Sequence, residues 1–148
     1  MKERALKAAK SWLTAPFDKE TQTQVEQLIA SDDANLIESF YKNMEFGTGG
    51  MRGVMGAGTN RINKYTLGRA TQGLANYLIK TFPNKPLKVA IAYDCRHNST
   101  LFSQLVADVF SANNISVYLF EDMRPTPELS FAVRHLGCDA GIVLTASH

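Results

Sequence analysis

Cysteine is scarce in this sequence. The 148 residues hold two, Cys95 and Cys138, too few for a disulfide framework and without metal-ligand spacing. No stretch approaches the roughly 20 uncharged apolar residues of a membrane-spanning helix. The opening MKERALKAAK is charged and lacks the apolar core of a secretory signal. We therefore expect a cytoplasmic chain without membrane contact, in which the sequons at Asn98 and Asn114 are coincidental. Charge of one sign is also in short supply: 16 Lys and Arg face 14 Asp and Glu, a net of +2. No basic run exists, and basic residues do not interleave with aromatics along one face, so no nucleic-acid partner is expected. Internal repeats and low-complexity tracts are absent.

What remains is an ordinary globular composition, 45% hydrophobic and 20% charged, of about one domain's length. A chain of this size buries roughly 70% of its unfolded surface, enough for a core without staples. The charge is unevenly spread. Residues 1–45 carry six basic and eight acidic side chains, and residues 46–148 carry ten and six. The mild positive excess of the second part suits small anionic ligands.

Residues 1–45 contain no glycine and show helical periodicity. Ala5, Leu6, Ala9, Trp12 and Leu13 share a face in a segment that Pro16 stops. Asp18 is placed to cap a second helix carrying Val25, Leu28 and Ile29, and Asp32 or Asp33 a third carrying Leu36, Ile37, Phe40 and Tyr41. With too few apolar residues for a core of its own, this arm should pack on the rest of the chain. From residue 46 the composition changes: residues 47–58 hold six of the ten glycines. Then helices and strands alternate. Thr66 should cap a helix with Leu67, Ala70, Leu74, Tyr77 and Leu78 on one face. LKVAIAYD (87–94), ISVYLF (115–120) and AGIVL (140–144) read as buried strands. Between them Ser99 should cap a helix with Leu101, Phe102, Leu105, Val106, Val109 and Phe110, ended by Asn113-Asn114. Thr126-Pro127-Glu128 reads as cap, first-position proline and first-turn acid of another, ended by Gly137. The fold class expected is α/β: a three-layer α/β/α domain over 46–148 with a mixed, mainly parallel sheet, preceded by the helical arm 1–45. Ligands of such sheets bind beyond the carboxyl ends of the strands. Two of these ends stand out, Asp94-Cys95-Arg96 and Thr145-Ala146-Ser147-His148.

The glycine segment fails the nucleotide fingerprints. Arg52 and Arg61 stand where a third Rossmann glycine belongs, and Thr59 replaces the P-loop lysine. FGTGGMRG (46–53) is left as a loop whose bare backbone can approach an anion, with Arg52 able to fork onto phosphate oxygens. The plainer reading is a tight turn with an exposed arginine. Ser147 lies just past a strand, but no G-x-S-x-G elbow supports a hydrolase. His148, adjacent in sequence, does not by itself make a nucleophile–base pair.

Four segments occur together and in order: FGTGGMRG at 46–53, DCR at 94–96, RPTPELSFAVRHLG at 124–137 and GIVLTASH at 141–148. In this the chain resembles the α-D-phosphohexomutases, the phosphoglucomutases, phosphomannomutases and their relatives. The helical arm and GTNRINKYTLGRATQGLANYL look most like the phosphoglucomutase/phosphopentomutase-type branch. The resemblance implies that Ser147 is the phosphorylated serine, that His148 positions groups or transfers a proton in the same loop, and that Arg52 lines the site. Thr48, Gly49 and Gly50 would build the phosphate-binding loop with Arg52. The family commonly has Ser, Asp or Ala where Gly49 stands. Asp94, Arg96, Thr126 and Pro127 match recurring turns and helix starts of structural character. Cys95 and Cys138 match nothing.

The resemblance further implies transfer of a phosphoryl group between hydroxyls of a hexose or pentose phosphate through a bisphosphorylated intermediate. It implies Mg²⁺, met in this chain only by the phosphate on Ser147. The family's Asp-Gly-Asp-x-Asp-Arg magnesium loop, its Glu-Glu-Ser-Gly sugar loop and its closing phosphate-binding domain do not occur in this sequence. The expectation is an N-terminal domain that breaks off inside the serine loop, inactive without the remaining domains. The alternative is a non-catalytic phosphate- or partner-binding module.

Overall fold

The computed structural model describes residues 1–31, 33–95 and 97–145. Asp32, Arg96, Ser147 and His148, singled out above, lie outside the described residues. The chain divides into two compact units, Met1–Thr66 and Leu67–His148.

In the first unit, α1 (Lys2–Lys10), α2 (Lys19–Ser31) and α3 (Asp33–Phe40) surround Trp12. Ala5 and Ala9 lie one turn apart on α1 and are fully buried, and α1 packs on α3. The helix ends at Lys10, not at Pro16. From Ser11 on, amides bond three residues back: Ser11 to Ala8, Trp12 to Ala9 and Leu13 to Lys10. This tightened last turn swings Trp12 inward. Its ring stacks on Phe17 at 4.3 Å and meets Phe40 and Tyr65 edge-on at 5.5 and 5.7 Å, within the range where aromatic pairs add to simple burial. Val25, Leu36 and Phe40 complete the cluster, which also takes in Ala57. Tyr41 falls outside α3 and is exposed. Asp18 caps α2 as expected, its Oδ1 accepting from the Thr21 amide at 3.1 Å.

The glycine segment opens with a ribbon of β1 (Phe46–Gly47) and β2 (Gly50–Met51), paired antiparallel. Its far end is pinned to α3. Gly58 has φ +135°, and a Cβ there would lie 2.4 Å from the Ser39 carbonyl oxygen, so only glycine fits this approach. Arg61, met in the sequence only as a break in a glycine fingerprint, is buried. Its guanidinium donates to Asn35 Oδ1 at 2.8 Å and Glu38 Oε1 at 3.4 Å.

Helix α4 (Lys64–Thr81) starts two residues before the expected Thr66. Asn63 caps it: Oδ1 accepts from the Tyr65 and Thr66 amides at 3.0 Å each. Thr66 Oγ1 returns the bond by accepting from the Asn63 amide at 3.1 Å, a reciprocal box with threonine in the glutamate's place. In the second unit α4 buries Leu67, Thr71, Ala75 and Leu78. Tyr77 is exposed instead, and Thr71 joins the buried stripe because its hydroxyl donates to the Leu67 carbonyl at 2.9 Å.

The second unit continues through β3 (Lys88–Tyr93), α5 (Ser99–Ala112), β4 (Ser116–Leu119), α6 (Thr126–His135) and β5 (Ala140–Leu144). The strands form a parallel sheet in the order β4-β3-β5. Ala90 and Ala92 face α6 and pack with Leu129. By strand alternation Val89 and Ile91 face the other way, and α5, which packs on β3, buries Val106 and Phe110. Gly141 lets α6 close onto β5, since a Cβ there would lie 2.6 Å from Val133. Helices on both faces give the α/β/α layering. Of the three strands β3 is the core one, buried from Val89 to Tyr93. β4 is an edge strand, with Tyr118 exposed, and β5 is half-buried. The apolar composition of ISVYLF marks a strand but not its place in the sheet. Two helix starts are also shifted. Asn98, at φ +63°, stands at the cap of α5, and Ser99 is its first residue. Pro125 stands at the cap of α6, making Thr126 the first residue and Pro127 the second. Leu101 is exposed on α5.

Asp139 fastens the start of the sheet. Its carboxylate accepts from the Lys88 amide at 3.0 Å and pairs with Lys85. Burial pushes its pKa up, but Lys85 and the Lys88 amide outweigh that and hold it below the usual carboxylate range.

Candidate active site

Parallel pairing brings the two carboxyl ends noted in the sequence side by side. Tyr93 of β3 pairs with Leu144 of β5, and the Asp94 amide extends the ladder by donating to the Leu144 carbonyl at 3.1 Å. Asp94 and Thr145 therefore leave the sheet as neighbours. The Thr145 hydroxyl donates to Asp94 Oδ2 at 2.7 Å, and the Ser99 hydroxyl, at the start of α5, donates to Asp94 Oδ1 at 3.1 Å. The contact between Asp94 and Thr145 was missed in the sequence. Its one signal is that both residues follow strands that pair. The neighbouring loop is tied in as well: Tyr93 Oη donates to the Glu121 carbonyl at 2.8 Å, and the Arg124 amide donates to the Tyr93 carbonyl at 3.2 Å. Arg124 also pairs with Glu128 at 3.2 Å across the first turn of α6.

The first unit presents the glycine ribbon. Thr48 and Gly49 form its two-residue tip, and Gly50 takes φ +107°. Thr48 and Gly49 are exposed, and Arg52 with them. The Arg52 guanidinium lies over Gly49: a Cβ at Gly49 would come within 3.1 Å of Nη2. A side chain at residue 49 would press on the arginine's exposed end, which a small shift would relieve. Arg52 forms no ion pair with another described residue, so its fork is available to an anion.

Cys95 is exposed and Cys138 partly buried, with burial pushing its thiol pKa up, away from reactivity. Among the described residues no group of three or more His, Cys, Asp or Glu side chains could hold a metal ion. Among them, too, no helix is long and apolar enough to cross a membrane. A cleft of about 420 Å³ opens between β4 and α6, walled by Tyr118, Phe120, Phe131 and His135. None of the described candidate site residues lines it.

Comparisons with known proteins identify relatives of this chain. The family model described as phosphoglucomutase/phosphomannomutase, alpha/beta/alpha domain I, matches residues 43–148. A phosphoglucomutase of Staphylococcus epidermidis is 41% identical over 129 residues, covering 78% of this chain and 23% of the relative. A probable phosphoribomutase of Schizosaccharomyces pombe is 40% identical over 139 residues, 93% of this chain and 24% of the relative. A phosphoglucomutase of Staphylococcus aureus is 42% identical over 137 residues, with the same coverage. The chain spans about a quarter of the length of these relatives. No solved structure matches. The chain belongs to the α-D-phosphohexomutase family, the phosphoglucomutases and phosphomannomutases, and residues 43–148 match its α/β/α domain I.

Proposed function

We propose that this chain is the N-terminal part of a cytoplasmic phosphosugar mutase, with residues 46–148 as domain I and 1–45 as a helical arm packed on it. Ser147 carries the phosphoryl group. Phospho-Ser147 donates it to a free hydroxyl of a hexose or pentose phosphate: the Oγ–P bond breaks, a bond from the sugar oxygen to phosphorus forms, and the hydroxyl proton leaves to a base. The bisphosphorylated sugar turns over in the site, and its other phosphate returns to Ser147. His148, in the same loop, serves as a positioning or proton-transfer group. Arg52, with the loop built by Thr48, Gly49 and Gly50, neutralises phosphate charge. Such transfer depends on in-line placement and charge neutralisation more than on covalent chemistry.

The observation that carries this reading is the carboxyl edge of the sheet, where Thr145 is held against Asp94 two residues before Ser147. A loop at this edge is where parallel α/β sheets place their ligands. Glucose and ribose phosphates enter as candidate substrates through the relatives' names. Magnesium neutralises phosphate charge when bound. On this reading its ligands other than phospho-Ser147, like the sugar-binding and closing elements, come from the enzyme's remaining domains.

Phosphoserine mapping by mass spectrometry, with turnover of glucose 1-phosphate, mannose 1-phosphate and ribose 1-phosphate, tests the assignment in the full-length enzyme. Ser147→Ala is expected to remove the phosphoserine and nearly all activity. A variant still phosphorylated on another serine and still active overturns the choice of nucleophile. A full-length protein with neither phosphoserine nor turnover leaves the non-catalytic binding module.

A further inference from the structure

We propose that Asp94 is a positioning residue for the serine loop, its carboxylate clamping Thr145 to the start of α5. The inference rests on the assignment of Ser147 above and adds what holds that serine in place. The clamp has two arms on one carboxylate: Oδ2 accepts from Thr145 Oγ1 at 2.7 Å and Oδ1 from Ser99 Oγ at 3.1 Å. An ionised carboxylate has no proton to give, so both hydroxyls must turn their protons to it, and both are fixed in orientation. Hydroxyl–carboxylate bonds are charge-assisted and stronger than neutral ones. The negative charge sits beside the N-terminus of a 14-residue helix, where the helix dipole favours it.

The anchor is rigid on both sides. Asp94 follows β3, the core strand of the sheet, and its amide is held by Leu144. Ser99 is buried. Thr145 is exposed, and its bond to the carboxylate adds to its backbone in locating it. The chain covers at most about 7 Å in two residues, so the placement of Thr145 limits that of Ser147. Phosphoryl transfer needs a near-attack geometry, and a misplacement of about 1 Å can cost about 100-fold in rate.

The test compares Asp94→Ala, Thr145→Val, the double variant and Asp94→Asn in the full-length enzyme, with thermal unfolding as a check on folding. Each of the first two is expected to lower kcat by about 10- to 100-fold with KM within about twofold. The double variant is expected to lose no more than Asp94→Ala alone, since the bond that Thr145→Val removes is already gone there. Asp94→Asn, which keeps one acceptor in the same volume, is expected to recover part of the loss. A folded Thr145→Val enzyme with unchanged kcat, or losses that multiply in the double variant, overturns the proposal. Should Asp94→Ala fail to fold, Thr145→Val decides, because that side chain is outside the core. Ser147→Ala separates the two levels. If it abolishes turnover while Thr145→Val does not lower it, the clamp alone is wrong. If Ser147→Ala stays active, the assignment of the nucleophile is wrong and the clamp falls with it.

Discussion

Three charged side chains hold the fold in ways whose failure can be measured. Arg61 is 7% exposed and bonds Asn35 and Glu38 of α3. Glu38 is itself largely in solvent, so Arg61→Ala strands no buried charge. It removes hydrogen bonds and the packing of the arginine stem, and is expected to cost about 1–3 kcal/mol in urea unfolding. Asp18 accepts from Lys64 at 2.8 Å, from Tyr65 and from the Thr21 amide, in that order of effect. Together these hold its carboxyl far below the usual range, while the same contact raises the Lys64 pKa. A depressed carboxylate stabilises the fold above its unfolded pKa of about 4, and that contribution is lost as pH falls below it. Asp139 acts in the same sense. Melting temperature should therefore fall as pH drops from about 4 towards 2, and less steeply in Asp18→Asn than in the parent. Equal slopes would show that Asp18 contributes nothing to acid stability. Only the cap that Asp18 makes was legible in sequence; the long-range partners were not, because a lone Asp or Arg does not reveal what lies across from it.

At the scale of elements, the cap of α4 does two jobs. Asn63 Oδ1 receives two amides, and its Nδ2 donates to the Gly56 and Gly58 carbonyls at 2.8 and 3.0 Å. Asn63→Ala is expected to cost about 1–2 kcal/mol, the upper part of the range for a cap. Asn63→Asp keeps the cap but loses the donor, and should fall between parent and alanine variant in urea unfolding. Helix and strand existence was largely readable here, since α5 and β3 follow strong periodic or continuous apolar patterns. Boundaries were not: Thr66 and Ser99 look like caps, but Asn63 and Asn98 precede them at the cap positions. Nor was burial. ISVYLF has the composition of a core strand and lies at an edge, because strand order depends on connections that local sequence does not encode.

At the scale of the whole molecule, the candidate site was legible in its residue types and not in its assembly. Arg52 and the glycine tip were visible as an anion-ready loop, and Ser147 as the residue past a strand. That the Arg52 guanidinium lies over Gly49, and that Asp94 meets Thr145, required the fold. The proposed division of labour among domains predicts that the 148-residue chain alone shows no mutase activity with glucose, mannose or ribose 1-phosphate. Turnover by the isolated chain that Ser147→Ala abolishes would refute this and make the chain a self-sufficient enzyme.

The bond between Asp94 and Thr145 joins residues 51 positions apart, and it has a kinetic meaning beyond geometry. Contacts of long sequence separation form late, because the intervening chain must lose its freedom first. The carboxyl edge therefore comes into being only when β5 docks on β3. A ribosome-bound or partly refolded chain that has built α1 to α5 holds no trace of it, however native its helices are. Amide protection at Asp94 in pulsed hydrogen exchange should rise with that at Ile142 and Leu144, after α5 is already protected. On the proposed assignment of Ser147, readiness to accept a phosphoryl group is thus a late event of folding.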